Sequence, residues 1–291
     1  MAPHRGRVRA CASRIAAGRG VVIAVRGAPA VQLLGRLRSS NERVFYGVFG
    51  FVGLTLAWEI AANTGLFRKS LLSSPSAIWK AGVIDIGAGT LWPHVGTSLE
   101  EFAIGFIVSV AIAIPLGLAI GWFRRIDYFL NGLLAALNAT PNVALIPLII
   151  LVAGIGFESK VIVVFLSAFF AVVVTTFTGV QSIARRHLEI TRSFGGSRWL
   201  AFRTVALPST IPYILSGVRI GAGRALVGVV SAEFISANQG LGFYIGFFGT
   251  FLDTARVMLG IVLFGIFGVV LGELLRVVEH RFDVWRPELH R

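Results

Sequence analysis

The chain has 291 residues, of which 55% are hydrophobic, and it carries a formal net charge of +13. Its mean hydropathy of +0.79 excludes a soluble globular domain, whose apolar share is about half or less, and indicates a membrane protein. The positive charge does not indicate nucleic-acid binding, because no soluble domain remains to carry a basic groove. The single cysteine, Cys11, excludes a disulfide framework or a cysteine metal cluster within one chain.

Residues 1–43 form a basic N-terminal extension that is rich in arginine and contains one acidic residue, Glu42. This composition is similar to that of an organellar transit peptide. A disordered basic tail, or a translation start placed too far upstream, is the simpler interpretation and the one we adopt. A cleaved secretory signal fits poorly, because the apolar stretch Val21–Val25 is too short.

Six apolar runs are long enough to cross a hydrocarbon core about 30 Å thick, which needs roughly 20 helical residues. They cover residues 44–62, 102–123, 128–153, 161–180, 211–235 and 255–275. The third run is interrupted by Asn138, Pro141, Asn142 and Pro147. The sequence therefore predicts an all-α polytopic membrane protein with one transmembrane domain, residues 44–291.

The charges between the runs predict the orientation, since arginine and lysine accumulate in short cytoplasmic loops. Arginines are concentrated in the extension, at Arg124-Arg125, in the segment 182–208 and at the C-terminal end. The remaining segments hold only Arg68, Lys69, Lys80, Lys160 and Arg256. Both termini and the segment 182–208 are therefore predicted to be cytoplasmic. On the outer side, Ser74 or Ser76 is placed to start a short interfacial helix that ends near Gly82.

The cytoplasmic stretch from Glu189 to Pro208 reads EITRSFGGSRWLAFRTVALP and is polar between two apolar runs. A short helix, Gln181 to Phe194, is predicted to end at the Gly195-Gly196 pair, which permits a tight bend. Ser197 is then placed to cap a second helix.

The second predicted helix carries an apolar stripe of Trp199, Phe202 and Val205 on a basic body. Leu207-Pro208 is expected to end this helix and to start the next span, because proline cannot continue a helical hydrogen-bond pattern. The stripe gives the segment a surface that can contact another protein.

This stretch resembles the cytoplasmic coupling motif of bacterial ABC importer permeases. The motif consists of Glu-Ala-Ala, three residues, Gly, nine residues and then Ile-x-Leu-Pro. Its positions are held here by Glu189, Gly195, Val205, Leu207 and Pro208, while Ile190 and Thr191 replace the two alanines.

Further segments between residues 44 and 288 are similar to permeases of the nitrate, sulfonate, taurine and bicarbonate importer branch. They include Leu72–Ser76, Ile114–Gly117, Thr140–Asn142, Gly154–Lys160, Ser231–Phe234 and Gly240–Gly242. The resemblance implies a type I importer permease in a bacterial inner membrane, carrying a small solute from an extracytoplasmic binding protein. It also implies a second permease copy, here a homodimer, and two cytoplasmic ATPase subunits.

No Gly-x-x-x-x-Gly-Lys-Ser/Thr phosphate loop occurs in the sequence. The chain is therefore expected to be a transport subunit and not an enzyme, with no cofactor of its own. ATP and Mg are expected to bind to the partner ATPase.

The resemblance implies ATPase-coupling roles for seven residues: Glu189, Gly195, Trp199, Phe202, Val205, Leu207 and Pro208. Each has an ordinary structural alternative. Glu189 can pair with a neighbouring arginine, Gly195 can serve only as a helix C-cap, and the aromatic side chains can lie in the lipid interface.

Polar groups within the spans are candidates for the translocation path, because charges in hydrocarbon are costly and face a cavity or a partner. These candidates are Asn138, Thr140 and Asn142 in the third run and Arg224 and Glu233 in the fifth. Helix packing is the alternative for the first three, and pairing with Glu100 or Glu101 is the alternative for Arg224. Arg219 is expected near the cytoplasmic end, where it can extend to the interface.

Two other function classes are possible. An intramembrane hydrolase would need a Gly-x-Ser-x motif together with a histidine inside the membrane, or a His-Glu-x-x-His motif. The five histidines all lie in predicted tails or loops, and no His-Glu-x-x-His motif is present. An unpartnered channel or secondary carrier would work without an ATPase. The cargo is left open between small anions and an aromatic acid or thiamine-type precursor.

Overall fold

The computed structural model describes residues 29–64, 72–183, 189–191, 193–236 and 238–281, with side chains from residue 45 onward. No strand occurs in these ranges, and the predicted all-α fold is confirmed. The helices are α1 Pro29–Asn63, α2 Pro75–Gly87, α3 Leu91–Trp122, α4 Arg124–Ala139, α5 Asn142–Ala153, α6 Phe157–Gln181, α7 Arg198–Ala201, α8 Leu207–Ser236, α9 Leu241–Thr250 and α10 Thr254–Arg281. A π-helical turn, Phe202–Ala206, joins α7 to α8.

The first helix begins inside the basic extension. α1 starts at Pro29, so the structure differs from the prediction of disorder over residues 29–43. These residues contain good helix formers such as Leu, Gln and Arg, and they continue without a break into the first span. Residues 1–28 lie outside the described residues. The chain divides into two compact units, Met1–Leu56 and Ala57–Arg291, and the second contains the sites discussed below.

Within the described ranges, five helical stretches are long and apolar enough to cross a membrane: Phe45–Asn63, Leu91–Trp122, Phe157–Gln181, Arg198–Ser236 and Thr254–Arg281. α4 and α5 form a sixth candidate if they count as one span that is bent by 99°. Each of the six predicted runs coincides with one of these stretches or with the bent pair. The helices extend beyond the predicted runs. Polar turns such as Thr97–Glu101 continue the helix, because their side chains bind buried polar groups of other helices.

The third predicted span is therefore not one straight helix. Thr140 has an extended backbone, with φ −74° and ψ 129°, and Pro141 follows with φ −63° and ψ 115°. A residue before proline avoids the helical region, and proline has no N–H to donate. α4 consequently ends at Ala139, and α5 starts in a new direction at Asn142.

Close packing through glycine places α6 between α3 and α8. A Cβ added at Gly117 of α3 would lie 2.7 Å from Cβ of Thr176, and one added at Gly228 of α8 would lie 2.6 Å from Oγ of Ser167. Glycine lets helix backbones approach closely, as is common between membrane helices. The sequence analysis did not identify these glycines, because their role depends on which helices are neighbours.

The two ends of this bundle are marked by two side-chain contacts. Trp122, the last residue of α3, contacts Phe202 of the π turn that precedes α8. Ser98, near the start of α3, donates a hydrogen bond to Glu233, near the end of α8. α3 and α8 are therefore antiparallel, and we refer to the Trp122 end and the Glu233 end of the bundle.

The predicted interfacial helix is present as α2. Its N-cap is Ser74, whose hydroxyl accepts a hydrogen bond from the N–H of Ala77 at 3.3 Å, as predicted. The helix continues past the predicted end near Gly82, because Ile78 and the residues after it pack against Leu259 and its neighbours in α10. α2 is thus fixed to the bundle.

Candidate functional site

Residues 189–206, which we call the connecting segment, join α6 to α8 through two short helices. The first ends at Gly195, whose φ is +76°. The N–H of Gly196 donates to the carbonyl of Thr191 at 2.9 Å, the bond expected of a Schellman C-cap. Ser197 then caps α7 by accepting a hydrogen bond from the N–H of Leu200 at 3.1 Å, as predicted.

The second short helix does not end at Leu207-Pro208, and that prediction was wrong. α7, the π turn and α8 form one helical stretch from Arg198 to Ser236. The N–H of Leu207 donates to the carbonyl of Phe202, so the turn before Pro208 is wider than an α-helical turn. Because proline clashes with the carbonyl four residues before it and lacks an N–H, the wider turn accommodates it. Residues 198–206 of the connecting segment are therefore helically continuous with α8.

Four large apolar side chains of the connecting segment are exposed, and we call them the coupling patch. They are Ile190 at 48%, Phe194 at 88%, Trp199 at 69% and Leu200 at 47% exposure. Exposed apolar residues grouped on a polar segment indicate an interaction surface. Phe194 was not among the predicted site residues, because the apolar stripe was sought only in the second helix.

Phe202, one of the predicted coupling residues, lies against α3, and its coupling role stays a prediction. Its ring packs edge-on against Trp122, with ring centroids 5.1 Å apart, and it is half-buried. Trp199 stacks on Phe202 at 5.6 Å and remains exposed. Phe202 is thus an anchor to α3, and Trp199 is the outward aromatic residue. The other predicted stripe and exit residues, Val205, Leu207 and Pro208, are half-buried.

Glu189 lies exposed at the start of the connecting segment. Its backbone carbonyl accepts a hydrogen bond from the hydroxyl of Ser193 at 3.0 Å. Between side chains that the structure describes, no ion pair involves Glu189. The neighbouring arginines named as its alternative partners, Arg185, Arg186 and Arg192, lie outside the described residues.

The structure brings two of the predicted path residues together. Nη1 of Arg224 donates to Oδ1 of Asn138 at 2.9 Å, which links α8 to the end of α4 beside the bend. Arg224 is exposed and Asn138 is half-buried. The alternative pairing of Arg224 with Glu100 or Glu101 is wrong for this conformation.

The other polar residues at the bend are Thr140 and Asn142, on either side of Pro141. Both are half-buried. The hydroxyl of Thr140 donates to the carbonyl of Ala136 at 3.1 Å and so covers the last turn of α4. The backbone at the bend is therefore not helical. The side chains around it offer amide and hydroxyl groups, and among them Asn138 contacts Arg224.

Glu233 lies apart from these residues and is enclosed, with 1% exposure. Its Oε1 accepts a hydrogen bond from the hydroxyl of Ser98 at 2.5 Å, and its Oε2 accepts one from the N–H of Gly242 at 2.6 Å. The carboxylate thus ties the turn between α8 and α9 to α3. In this conformation the carboxylate is enclosed and lies apart from Arg224, and its predicted place in the translocation path stays a prediction.

Lys160, assigned from its charge to an outer loop, is buried in the first turn of α6. It forms an ion pair with Glu101 of α3, which is 0% exposed. A buried charge needs a partner of opposite sign, so this pair explains how a lysine is tolerated there. The sequence does indicate that polar contacts occur here, because Thr97–Glu101 and Glu158–Lys160 are polar stretches at the starts of apolar runs.

A second ionic group, which the sequence analysis missed, joins α2, α9 and α10. Arg256 donates to both carboxylate oxygens of Asp85, at 2.9 and 3.1 Å, and to Asp253 at 2.7 Å. The hydroxyl of Tyr244 donates to Asp85 at 2.5 Å. Burial by itself would raise the pKa of Asp85, but the hydrogen bonds from Arg256 and Tyr244 hold that pKa below its usual value. Burial and the bond to Asp85 raise the pKa of Tyr244.

Comparison with known proteins places these features in a family. Residues 113–284 match the model described as "Binding-protein-dependent transport system inner membrane component". The taurine transport system permease protein TauC of Escherichia coli (strain K12) is 31% identical over 241 residues, which cover 81% of this chain and 88% of that protein. A putative aliphatic sulfonates transport permease protein, SsuC, from the same organism is 32% identical over 239 residues, with 82% and 91% coverage.

Other similar proteins extend this range. A probable ABC transporter permease of Brucella abortus (strain 2308) is 32% identical over 229 residues, which cover 79% of this chain and 90% of the relative. A chain of the MetNI methionine ABC transporter, solved in an inward-facing conformation, aligns with a TM-score of 0.56 and 17% identity, over 68% of this chain and 99% of that chain. The latter likeness shows a shared fold.

Proposed function

This chain belongs to the family of binding-protein-dependent transport system inner membrane components, and we propose that it forms the path of an ATP-driven importer for a small sulfonate-type anion. The observation that carries the proposal is the coupling patch, in which Trp199 and Leu200 lie on a helical stretch continuous with α8. A permease must receive movement from its ATPase, and an exposed apolar surface on a rigid helix provides the contact. Displacement of Trp199 and Leu200 is transmitted along α8 into the membrane.

The residues of the connecting segment, together with Leu207 and Pro208, have four roles in this proposal. Trp199 enters a cleft of the ATPase, together with the unpredicted Phe194. Glu189 is exposed and accepts hydrogen bonds from the partner. Gly195, Val205, Leu207 and Pro208 set the bend and the exit into α8, and Phe202 anchors the segment to α3.

The proposed path runs beside the bend between α4 and α5, where Asn138 binds the exposed side chain of Arg224 and where Thr140 and Asn142 flank Pro141. Non-helical backbone at membrane depth is tolerated where it is buried in protein or lines a water-filled cavity. The polar side chains on both sides of Pro141 are consistent with the second case. Glu233, which is enclosed, is left out of the path and is given a structural role.

The cargo class comes from the relatives, whose names specify taurine and aliphatic sulfonates. The proposed assembly contains two copies of this chain, two ATPase subunits that bind ATP and Mg, and an extracytoplasmic binding protein. In this proposal the Trp122 end faces the cytoplasm of a bacterial cell, because Arg124, Arg125, Arg198 and Arg203 lie at that end. The cytoplasmic location of both termini is proposed from the distribution of arginine along the sequence.

Reconstitution of this assembly in proteoliposomes tests the function. Radiolabelled taurine and ethanesulfonate should accumulate only when ATP and the binding protein are both present. Competition by nitrate, bicarbonate, an aromatic acid and a thiamine-type pyrimidine would then rank the cargo classes. Flux without the ATPase would contradict the proposal and identify an unpartnered channel or carrier.

The variant Gly195→Val tests the connecting segment in the same assay. A β-branched residue is strained at φ +76°, so the bend and the direction of the coupling patch should change. Insertion should persist, because a Cβ added at this position meets no other atom within 4 Å. ATP hydrolysis without accumulation is the expected result, and normal uptake would contradict the role of the bend.

A further inference from the structure

We infer that Arg224 and Asn138 form a subsite for the anionic group of the transported solute. The inference rests on the proposed function, since it requires a charged cargo and a path beside α8. It adds to the proposed function the two residues that bind the anionic group of the solute and the hydrogen bonds by which they bind it.

The depth of Arg224 is the first argument. α8 spans Leu207 to Ser236, so at 1.5 Å per residue Arg224 lies about 25 Å from the start of the helix and about 18 Å from its end. The side chain is exposed on the surface of the chain. A guanidinium at this depth is costly against hydrocarbon and requires water or an opposite charge.

The lack of a charged partner is the second argument. Three other cations of the spans are paired with carboxylates: Lys160 with Glu101, Arg219 with Glu279 and Arg256 with Asp85. For Arg224 the hydrogen bond that the structure gives is to the neutral amide of Asn138. No carboxylate within the described ranges neutralises it, so the position is suited to an anion that comes and goes.

The geometry of the two side chains is the third argument. A guanidinium has five N–H donors in a fixed fork, which match the oxygens of a sulfonate or carboxylate, and Asn138 accepts one of these donors. Because arginine can only donate, the amide oxygen of Asn138 must face it, which leaves the NH₂ group of Asn138 as a further donor. Both residues therefore present donors to the same ligand.

Space beside Arg224 is the fourth argument. A Cβ added at the preceding residue, Gly223, would meet no atom within 4 Å. The neighbouring Val227, one turn further along the same exposed face, is 62% exposed. The guanidinium is thus bordered by open space and by an apolar surface that can contact the carbon chain of an organic anion.

The subsite also lies where movement of α8 can change it. Asn138 is on α4, while Arg224 is on the helix that continues from the connecting segment. A shift of α8 along its axis alters the distance between the two side chains. Binding and release of the anion are then linked to the position of the connecting segment.

Chemical rescue in the reconstituted transporter tests the inference. Cys11→Ser provides a cysteine-free background, in which Arg224→Cys removes the charge. ATP-dependent uptake of ethanesulfonate should fall at least tenfold. A methanethiosulfonate reagent that adds an aminoethyl group should restore uptake several-fold, whereas methyl methanethiosulfonate, which adds a neutral group, should not.

Two further variants complete the experiment. Arg219→Cys, the matched control, lies on the same helix with its charge paired to Glu279, and the two reagents should act on it alike. Arg224→Lys should keep most of the uptake and shows that position 224 tolerates substitution. If Arg224→Cys transports as fast as the native chain, or if both reagents restore its uptake equally, the inference is wrong. ATP-dependent transport by the native chain would still support the proposed function in either case. Absence of ATP-dependent uptake by the native chain would overturn both.

Discussion

Phe202 of the π turn packs edge-on against Trp122, the last residue of α3, with ring centroids 5.1 Å apart. Trp199 stacks on the same phenylalanine but is 69% exposed. The two aromatic residues are three positions apart on one helical stretch. One of them fixes the connecting segment to the bundle, and the other is left for a partner.

Alanine variants at these two positions should separate folding from coupling. Phe202→Ala removes an aromatic pair worth about 0.5–1.5 kcal/mol beyond its area burial, so the free energy of unfolding should fall. Trp199→Ala should lower that free energy less, because the side chain is exposed and it loses one aromatic contact where Phe202→Ala loses two. Its ATP-driven uptake should nevertheless drop. Thermal unfolding and uptake measured on the same preparations check both, and equal destabilisation by the two variants would contradict the assignment.

Packing of α3 on α6 should be sensitive to a single methyl group. Gly117→Ala places a Cβ 2.7 Å from Thr176 and 2.9 Å from the backbone carbonyl of Val173, so the helices must separate. Overpacking of this kind costs about 1–3 kcal/mol. The control Gly265→Ala meets no atom within 4 Å and should be neutral or stabilising. Unfolding temperatures in detergent compare them, and similar values for both variants would refute the close approach.

For the buried ion pair of Lys160 and Glu101, removing one partner should destabilise the protein much more than removing both. Lys160→Met leaves Glu101 without its partner in a fully buried position, which costs about 3–5 kcal/mol. The double variant Lys160→Met with Glu101→Leu should recover much of this loss. Lys80→Met, at an exposed position of α2, is the control and should have little effect. If the single and double variants unfold alike, the pairing is incorrect.

Acidification should weaken the connection between α2 and α10. The pKa of Asp85 is lowered in the folded state, so its contribution to stability is complete above the unfolded pKa of about 3.9 and is lost as pH falls through the folded pKa. The unfolding temperature of the native chain should approach that of Asp85→Asn as pH falls from about 5 towards and below the folded value. If the difference in unfolding temperature between the native chain and Asp85→Asn stays constant over this pH range, ionisation of the Asp85 carboxylate does not stabilise the connection.

Much of the fold follows from composition and chain pattern. The apolar runs predicted the spans, because about 20 apolar residues are needed to cross a bilayer. Ser74 and Ser197 were identified as helix caps from their local sequence alone. The bend at Thr140-Pro141 was visible as an interruption, although its angle depends on packing against α6 and α8.

Features that depend on which helices are neighbours could not be predicted from the sequence. Lys160 and Glu101 are separated by two predicted runs, and their pairing cannot be inferred from spacing. For Arg224 the sequence left a role in the path and a pairing with Glu100 or Glu101 open, and its contact with Asn138 depends on how α4 ends. The continuity through Pro208 was missed because a π turn leaves no simple sequence signal.

The central claim is that the coupling patch contacts the ATPase, and a photo-cross-linking amino acid at position 199 tests it most directly. Benzoyl-phenylalanine replaces Trp199 in the intact transporter, with Phe251, which is 67% exposed just after α9, as the control position. The account predicts a covalent product between this chain and the ATPase from position 199 and none from position 251. Failure of position 199 to label the ATPase, while the complex remains assembled, would contradict the account.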